Sequence, residues 1–398
     1  MSADRSMRRV VLALCVAEVL TMAGVFAFPA LLPGFMAAWG LSNTDAGWIS
    51  GVYFAGYAVA VPLLGASTDR LDARLVWIAG ALLTALSVFG FALAADGFWT
   101  AMLFRALGGA GLAGTYMPGL KALVDRTAGP SQPRWMSWYT ASFSLGTSLS
   151  FLFAGWAAAL WGWRAAFGLA GLAAVAAAVV AARFLKPVPP PPAARTAALL
   201  DFRPVLRDRP VMGYVLAYVA HMWELFGLRS WMVAFLAFAL AAAPGWGPEP
   251  TAAAMLCSLV AMAGSIGGAD LAMRMDRRRL CAVAALLSAA VAAGIGFTAG
   301  WPYGIVVVLM VAYNGLVQLD SAALTTGAVL ESDPARRGAT IAVHSLLGFA
   351  AAFAGPLAFG GVLDAAGGGG SATAWGLAFA SLAAVSALGP LALRWSRT

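Results

Sequence analysis

The residues that could do chemistry here are the acids, bases and polar groups set inside long apolar runs. Glu18 stands in one run and Arg105 in another. Tyr214, Tyr218, His221 and Glu224 recur at helical spacing in a third, with Arg229 following. Tyr313, Asn314, Gln318 and Asp320 crowd a fourth. On a helix, His221 and Glu224 are three apart, share a face and can touch. Imidazole titrates near neutral pH, and a carboxyl in an apolar setting can approach that range. The pair is therefore a candidate proton site, with Glu18 and Asp320 as further candidates. Arg105 is a fixed cation that could hold an anionic group or pair with an acid. Tyr53, Tyr57, Tyr214, Tyr218, Asn314 and Gln318 are candidates for contact with a polar solute, the competing role for each being plain helix packing. Asn314, Gln318, Ser321 and Thr325 fall on one helical stripe, with Asp320 and Tyr313 on another. Asp270 reads as structural and His344 as interfacial.

Other chemistries are excluded by what the chain holds. It has two histidines, too few for a histidine-based metal cluster. Cys15, Cys257 and Cys281 are isolated, with no CxxC spacing. No Walker-type phosphate loop occurs. No metal, no cofactor and no enzymatic activity are expected.

The elements that must position these groups are membrane helices. Of the 398 residues, 62% are hydrophobic and 11% charged, against about a quarter charged in soluble domains. Apolar runs longer than about 18 residues repeat along the chain, each long enough to cross a bilayer. Bilayer-spanning backbone must satisfy its own hydrogen bonds, and runs rich in Ala, Leu and Gly without strict alternation do so as helices. Spans are expected at 10–35, 46–66, 75–95, 98–121, 135–159, 164–184, 211–240, 251–272, 280–299, 302–329, 339–361 and 372–393. Pro187 and Pro189 to Pro192, followed by Arg195, Arg203, Arg207 and Arg209, mark an extended linker. The chain divides into a six-helix bundle at 1–185, a linker at 186–210 and a second bundle at 211–398.

The net charge of +8 lies in short basic clusters at alternate connections and at both ends, an orientation code rather than a nucleic-acid surface. Both termini and the linker are expected in the cytoplasm. The first run, preceded by Arg8 and Arg9, is too long for a cleaved signal. The two bundles also repeat each other. Arg70-Leu71-Asp72-Ala73-Arg74 follows the second span and Arg274-Met275-Asp276-Arg277-Arg278 the eighth. Trp163-Arg164-Ala165-Ala166-Phe167 opens the sixth span and Trp375-Gly376-Leu377-Ala378-Phe379 the twelfth.

These features resemble the major facilitator superfamily over essentially the whole chain. Gly65 to Arg74 is similar to that family's loop signature Gly-x-x-x-Asp-Arg-x-Gly-Arg, with Asp72 in place of the usual Gly. Arg105, Gly109, Gly111 and Gly114 resemble its fourth-helix pattern, and Gly162-Trp163-Arg164-Ala165-Ala166-Phe167 its sixth-helix opening. The Gly-Pro pair of the family's antiporters is replaced in span five by Ser148-Leu149-Ser150.

The resemblance implies an all-α fold of two pseudo-symmetric six-helix bundles, with spans one, four, seven and ten lining a central cavity. It also implies alternating access and a cytoplasmic latch built from Asp69, Arg70, Asp72, Arg74, Arg274 and Asp276. The expected function is proton-coupled movement of a small polar or anionic metabolite across a bacterial inner membrane by a monomer. Its partners would be solute, protons and lipid, and no nucleic acid. Efflux of hydrophobic or cationic compounds is the rival, and a non-transporting membrane sensor the rival from another class.

Overall fold

The computed structural model describes residues 2–188 and 202–397, and among them the chain is helical without strands. The linker residues Pro189 to Pro192 and Arg195 lie outside the described residues. The first expected span is α1 (Ser2–Thr21), α2 (Ala27–Ala30) and α3 (Leu32–Trp39). Next come α4 (Asn43–Ser67), α5 (Ala73–Ala94) and α6 (Phe98–Val124). The fifth and sixth spans form α7 (Gln132–Phe184), divided at Gly162 by a φ of +81° that favours glycine. A short α8 (Arg203–Arg207) precedes α9 (Arg209–Ala242). Then follow α10 (Pro250–Arg274), α11 (Arg277–Ile295), α12 (Tyr303–Gln318) and α13 (Ser321–Glu331). The last are α14 (Arg337–Ala365), α15 (Ala372–Ser386) and α16 (Gly389–Trp395). Among the described residues nine helices are long and apolar enough to cross a membrane, α7 counting once. Leu93, Trp99, Val59 and Met273 stand exposed on their helices, as lipid-facing residues do.

The helices form two compact units. One holds Met1–Leu31 with Val52–Thr196, the other Leu32–Gly51 with Ala197–Thr398. The boundary thus falls inside α4. In the second unit the start of α4 is capped by Asp364, whose carboxylate accepts from the backbone N–H groups of Asn43 (3.1 Å) and Thr44 (2.8 Å) and from both side chains.

Local chemistry explains where helices stop and cross. The first span breaks at a 3₁₀ turn, Met22–Gly24, which would strand backbone polar groups in an apolar interior. Ser150 of α7 repairs it: its hydroxyl donates to Ala23 O at 2.9 Å and accepts from Phe26 N–H at 3.0 Å. Asp72, Asp208, Asp276 and Ser371 cap α5, α9, α11 and α15. At the α4–α6 crossing, a Cβ on Gly109 would sit 1.7 Å from Tyr53 O, so only glycine permits that approach. Gly268 of α10 meets Leu319 O in the same way in the second unit.

Each unit has its own core. In the first, Val11, Leu14, Trp77, Leu123 and Tyr139 join α1, α5, α6 and α7. In the second, Val211, Tyr214, Val215, Leu280, Leu324 and Leu393 do the equivalent for α9, α11, α13 and α16.

Candidate functional site

In the first unit, Glu18 is completely buried on α1. The Tyr139 hydroxyl donates to Glu18 Oε2 at 2.7 Å, and Trp77 Nε1 donates in turn to Tyr139 at 3.4 Å. Tyr139 also lies 3.0 Å from Thr115 O, and its single proton serves one acceptor at a time. Glu18 Oε1 has no hydrogen-bond partner, and no cation pairs with this carboxyl among the described residues.

Arg105 of α6 is buried in the same unit. Its Nη1 donates to Val25 O at 2.9 Å, a carbonyl beside the break in the first span. The guanidinium lies 4.3 Å from the ring centroid of Tyr53 and 5.9 Å from that of Phe28. Arg105 Nε and Thr84 Oγ1 lack partners, and both residues line a small cavity with Ser87, Tyr53 and Gly108. Arg105 therefore pairs with a carbonyl and a ring, not with an acid. Tyr53 lies beneath it, and Tyr57 is buried.

In the second unit, His221 and Glu224 part company. The structure corrects the expected contact between them: each turns to a different neighbouring helix. His221 Nδ1 lies 2.9 Å from Asp320 Oδ1, at the junction between α12 and α13. That oxygen makes no hydrogen bond of acceptable geometry, so the contact is a charge pair when the ring is protonated. Glu224 sits instead among three hydroxyls. Tyr313 donates to Oε1 at 2.9 Å, Ser288 to Oε2 at 3.0 Å, and Ser386 to Oε2 as well. Both acids are buried, but Glu18 has one hydroxyl and an orphaned oxygen, while Glu224 has three hydroxyls and no orphan.

His344 is 4% exposed, its ring 3.8 Å from that of Tyr218. Tyr218 is 5.8 Å from His221 as well, so both histidines of the chain meet one tyrosine. His344 Nε2 lies 3.2 Å from the exposed Thr325 Oγ1, while His344 Nδ1 and His221 Nε2 lack partners. The expected stripe of Asn314, Gln318, Ser321 and Thr325 runs across the turn between α12 and α13, with Ser321 half-buried and Thr325 exposed. Asn314 is fully buried and donates to Met310 O at 2.9 Å, Gln318 is half-buried, and Tyr214 carries the Arg278 guanidinium on its ring at 4.8 Å.

The sequence model of the Major Facilitator Superfamily matches residues 14–356. The chain belongs to that superfamily. No curated protein matches its sequence. Among solved structures, it resembles a bacterial homolog of the human lysosomal transporter Spinster in an inward-facing, unoccupied conformation. Identity there is 17%, TM-score 0.76, with 98% of this chain and 95% of that chain covered. It also resembles the nucleoside transporter NupG at 14% identity and TM-score 0.75, covering 98% of this chain and 99% of that one. The family and fold are those of multi-pass membrane transporters.

This superfamily member uses its signature loop within its own unit. Asp72 accepts from both Arg74 N–H (2.9 Å) and Val188 N–H (2.9 Å), and pairs with Arg126 Nη2 at 2.7 Å. Burial alone would raise the Asp72 carboxyl, but Arg126 and the two N–H donors hold it below the usual carboxylate range. In the second unit Asp276 caps α11 and pairs with Arg397 at 2.9 Å. Asp69, Arg70 and Arg274 are exposed and make no ion pair among the described residues. Sequence reasoning missed Tyr139, Ser288 and Ser386 as partners of the buried acids. Each is a polar residue inside an apolar run, and that was the only signal available.

Proposed function

We propose that this chain is a proton-coupled secondary transporter of a small polar or anionic metabolite, working by alternating access in the inner membrane with both termini cytoplasmic. The observation that carries the reading is the pair of fully enclosed acids, Glu18 and Glu224, one in each unit, held by hydroxyls with no cation among the described residues. An ionised carboxylate without a counter-charge is costly away from water, so its charge state follows its hydration. A group whose hydration changes as access alternates can take a proton on one side and release it on the other. Arg105, a buried cation without an acidic partner among the described residues, supports an anionic or polar solute over a cationic one. The lack of a cation beside Glu18 and Glu224 favours the second reading, proton-driven export of cations.

A thermal-shift screen of the purified protein against metabolites and drugs identifies the solute, since a ligand of the folded state raises its apparent stability. Uptake of that solute into proteoliposomes, with and without an imposed pH gradient, then tests coupling. Accumulation only under the gradient supports the proposal. Equal equilibration with and without it refutes proton coupling, and a hit list of cations alone shifts the reading to export.

A further inference from the structure

Where α11 begins and α16 ends, the second unit has a cavity of about 490 Å³ lined by Asp276, Arg278, Arg279, Pro390, Arg394 and Arg397. Four arginines face one aspartate, and that aspartate is already engaged by Arg397 and by the first turn of α11. Arg278 is likewise committed, to Leu393 O, Ser396 and Glu331. Arg279 and Arg394 are different: both are exposed, and neither side chain has an ion pair or hydrogen bond among the described residues. Two free guanidiniums at one pocket mouth form a fork for a phosphate-type anion.

The pocket's surroundings choose the source of that anion. Ala282 and Leu393 supply its apolar lining. Val283, Leu286 and Leu287 lie exposed along one side of α11, and Leu388 and Leu391 are exposed near and on α16. Charge above an apolar helix flank matches an anionic headgroup above its acyl chains. The repeat-equivalent corner of the first unit is occupied: Arg126 closes on Asp72 and on Lys186 O, and Val188 N–H fills the remaining acceptor.

We propose that this pocket binds the phosphate headgroup of an anionic phospholipid, with Arg279 and Arg394 as its ligands and the apolar flanks of α11 and α16 holding the chains. The site is independent of the transported solute.

The test uses the full chain in detergent, titrated with phosphatidylglycerol, phosphatidylcholine or glycerol 3-phosphate while thermal stability and lipid retention in native mass spectrometry are read. Phosphatidylglycerol should raise the unfolding midpoint saturably, and the other two should not. The R279Q/R394Q double variant should keep its lipid-free midpoint and bind phosphatidylglycerol at least about tenfold more weakly, from the loss of two charge-assisted contacts. R336Q/R337Q, which removes exposed charge from another connection, should bind as the parent does. An equal response to glycerol 3-phosphate would replace the lipid with a soluble anion and overturn the proposal. Unchanged binding by R279Q/R394Q, or an equal loss in R336Q/R337Q, would overturn the built site.

Discussion

Arg74 and Arg278 make the same contact in the two units. Each guanidinium donates to a backbone carbonyl near the end of its unit's sixth span, Arg74 Nη2 to Ala182 O at 2.8 Å and Arg278 Nη1 to Leu393 O at 3.0 Å. The aspartate two residues earlier caps the helix in both cases, Asp72 on α5 and Asp276 on α11. The repeated Arg-x-Asp-x-Arg frame is therefore a brace that ties the third helix of each unit to its sixth. A cap fixes the helix start, and the arginine satisfies a carbonyl that the ending helix leaves open.

Breaking the first brace should cost stability in a pH-dependent way. Asp72→Asn removes the charge that Arg126 faces, and the expected loss is about 1–3 kcal/mol at pH 7. The Asp72 carboxyl is depressed on folding, so its contribution is fully present above the unfolded value, about 3.9, and is lost as pH falls through the lower folded value. Thermal unfolding of parent and variant should differ at neutral pH and converge only below about pH 4. A gap that is constant with pH would show that the carboxylate charge is not what braces the loop.

Gly109→Ala should destabilise the first unit by about 1–3 kcal/mol through overpacking, because the new Cβ meets the Tyr53 carbonyl, a backbone atom that cannot rotate aside. Gly97→Ala, where nothing lies within 4 Å, serves as the reference. Comparable melting midpoints for the two variants would mean that α4 and α6 are not in close contact at Gly109.

Much of this arrangement was legible in the sequence because the bilayer permits few solutions. Apolar runs must be helices, and the basic clusters, proline stretch and repeated motifs mark where they stop. Span 46–66 became α4 at Asn43–Ser67, and 98–121 became α6 at Phe98–Val124. What periodicity could not supply was which neighbour a polar side chain chooses. His221 and Glu224 share a stretch of α9, but their partners come from other helices, Asp320 from the α12–α13 junction and Ser288 and Ser386 from α11 and α15. The burial of His344 was not legible for a related reason: distance along a span says how far a residue is from its helix end, not whether another helix covers it.

The His221–Asp320 contact can be weighed by a double-mutant cycle. His221→Asn and Asp320→Asn should each lower the unfolding midpoint, since each takes the ionisable partner away from a buried group that stays in place. The double variant should lose less than the two singles together, with a coupling of at least about 0.5 kcal/mol. Strict additivity would mean that the 2.9 Å approach carries no energy. Glu224→Gln combined with His221→Asn is the contrasting cycle and should be near additive, because those two side chains serve different partners.

The last prediction separates the two enclosed acids. Glu18→Gln and Glu224→Gln each remove a titrating group while keeping size and most hydrogen bonding. Tyr139 can still donate to the amide oxygen at position 18. At position 224, however, Oε2 is shared by Ser288 and Ser386, and Oε1 by Tyr313. An amide nitrogen at either place donates rather than accepts, so at least one hydroxyl must rotate to a new acceptor, and Ser288 already has Ala285 O within 3.1 Å. Both variants are therefore expected to fold, with the larger cost at Glu224. If the proton needed for transport binds at one of them, that variant should lose accumulation driven by a pH gradient and retain exchange of labelled for unlabelled solute, which needs no net proton movement. The other variant should keep both activities. Uptake and counterflow in proteoliposomes of parent and variants read the two directly. Accumulation in both variants at the parental rate would remove Glu18 and Glu224 from the coupling machinery and leave the His221–Asp320 pair as the next site to test.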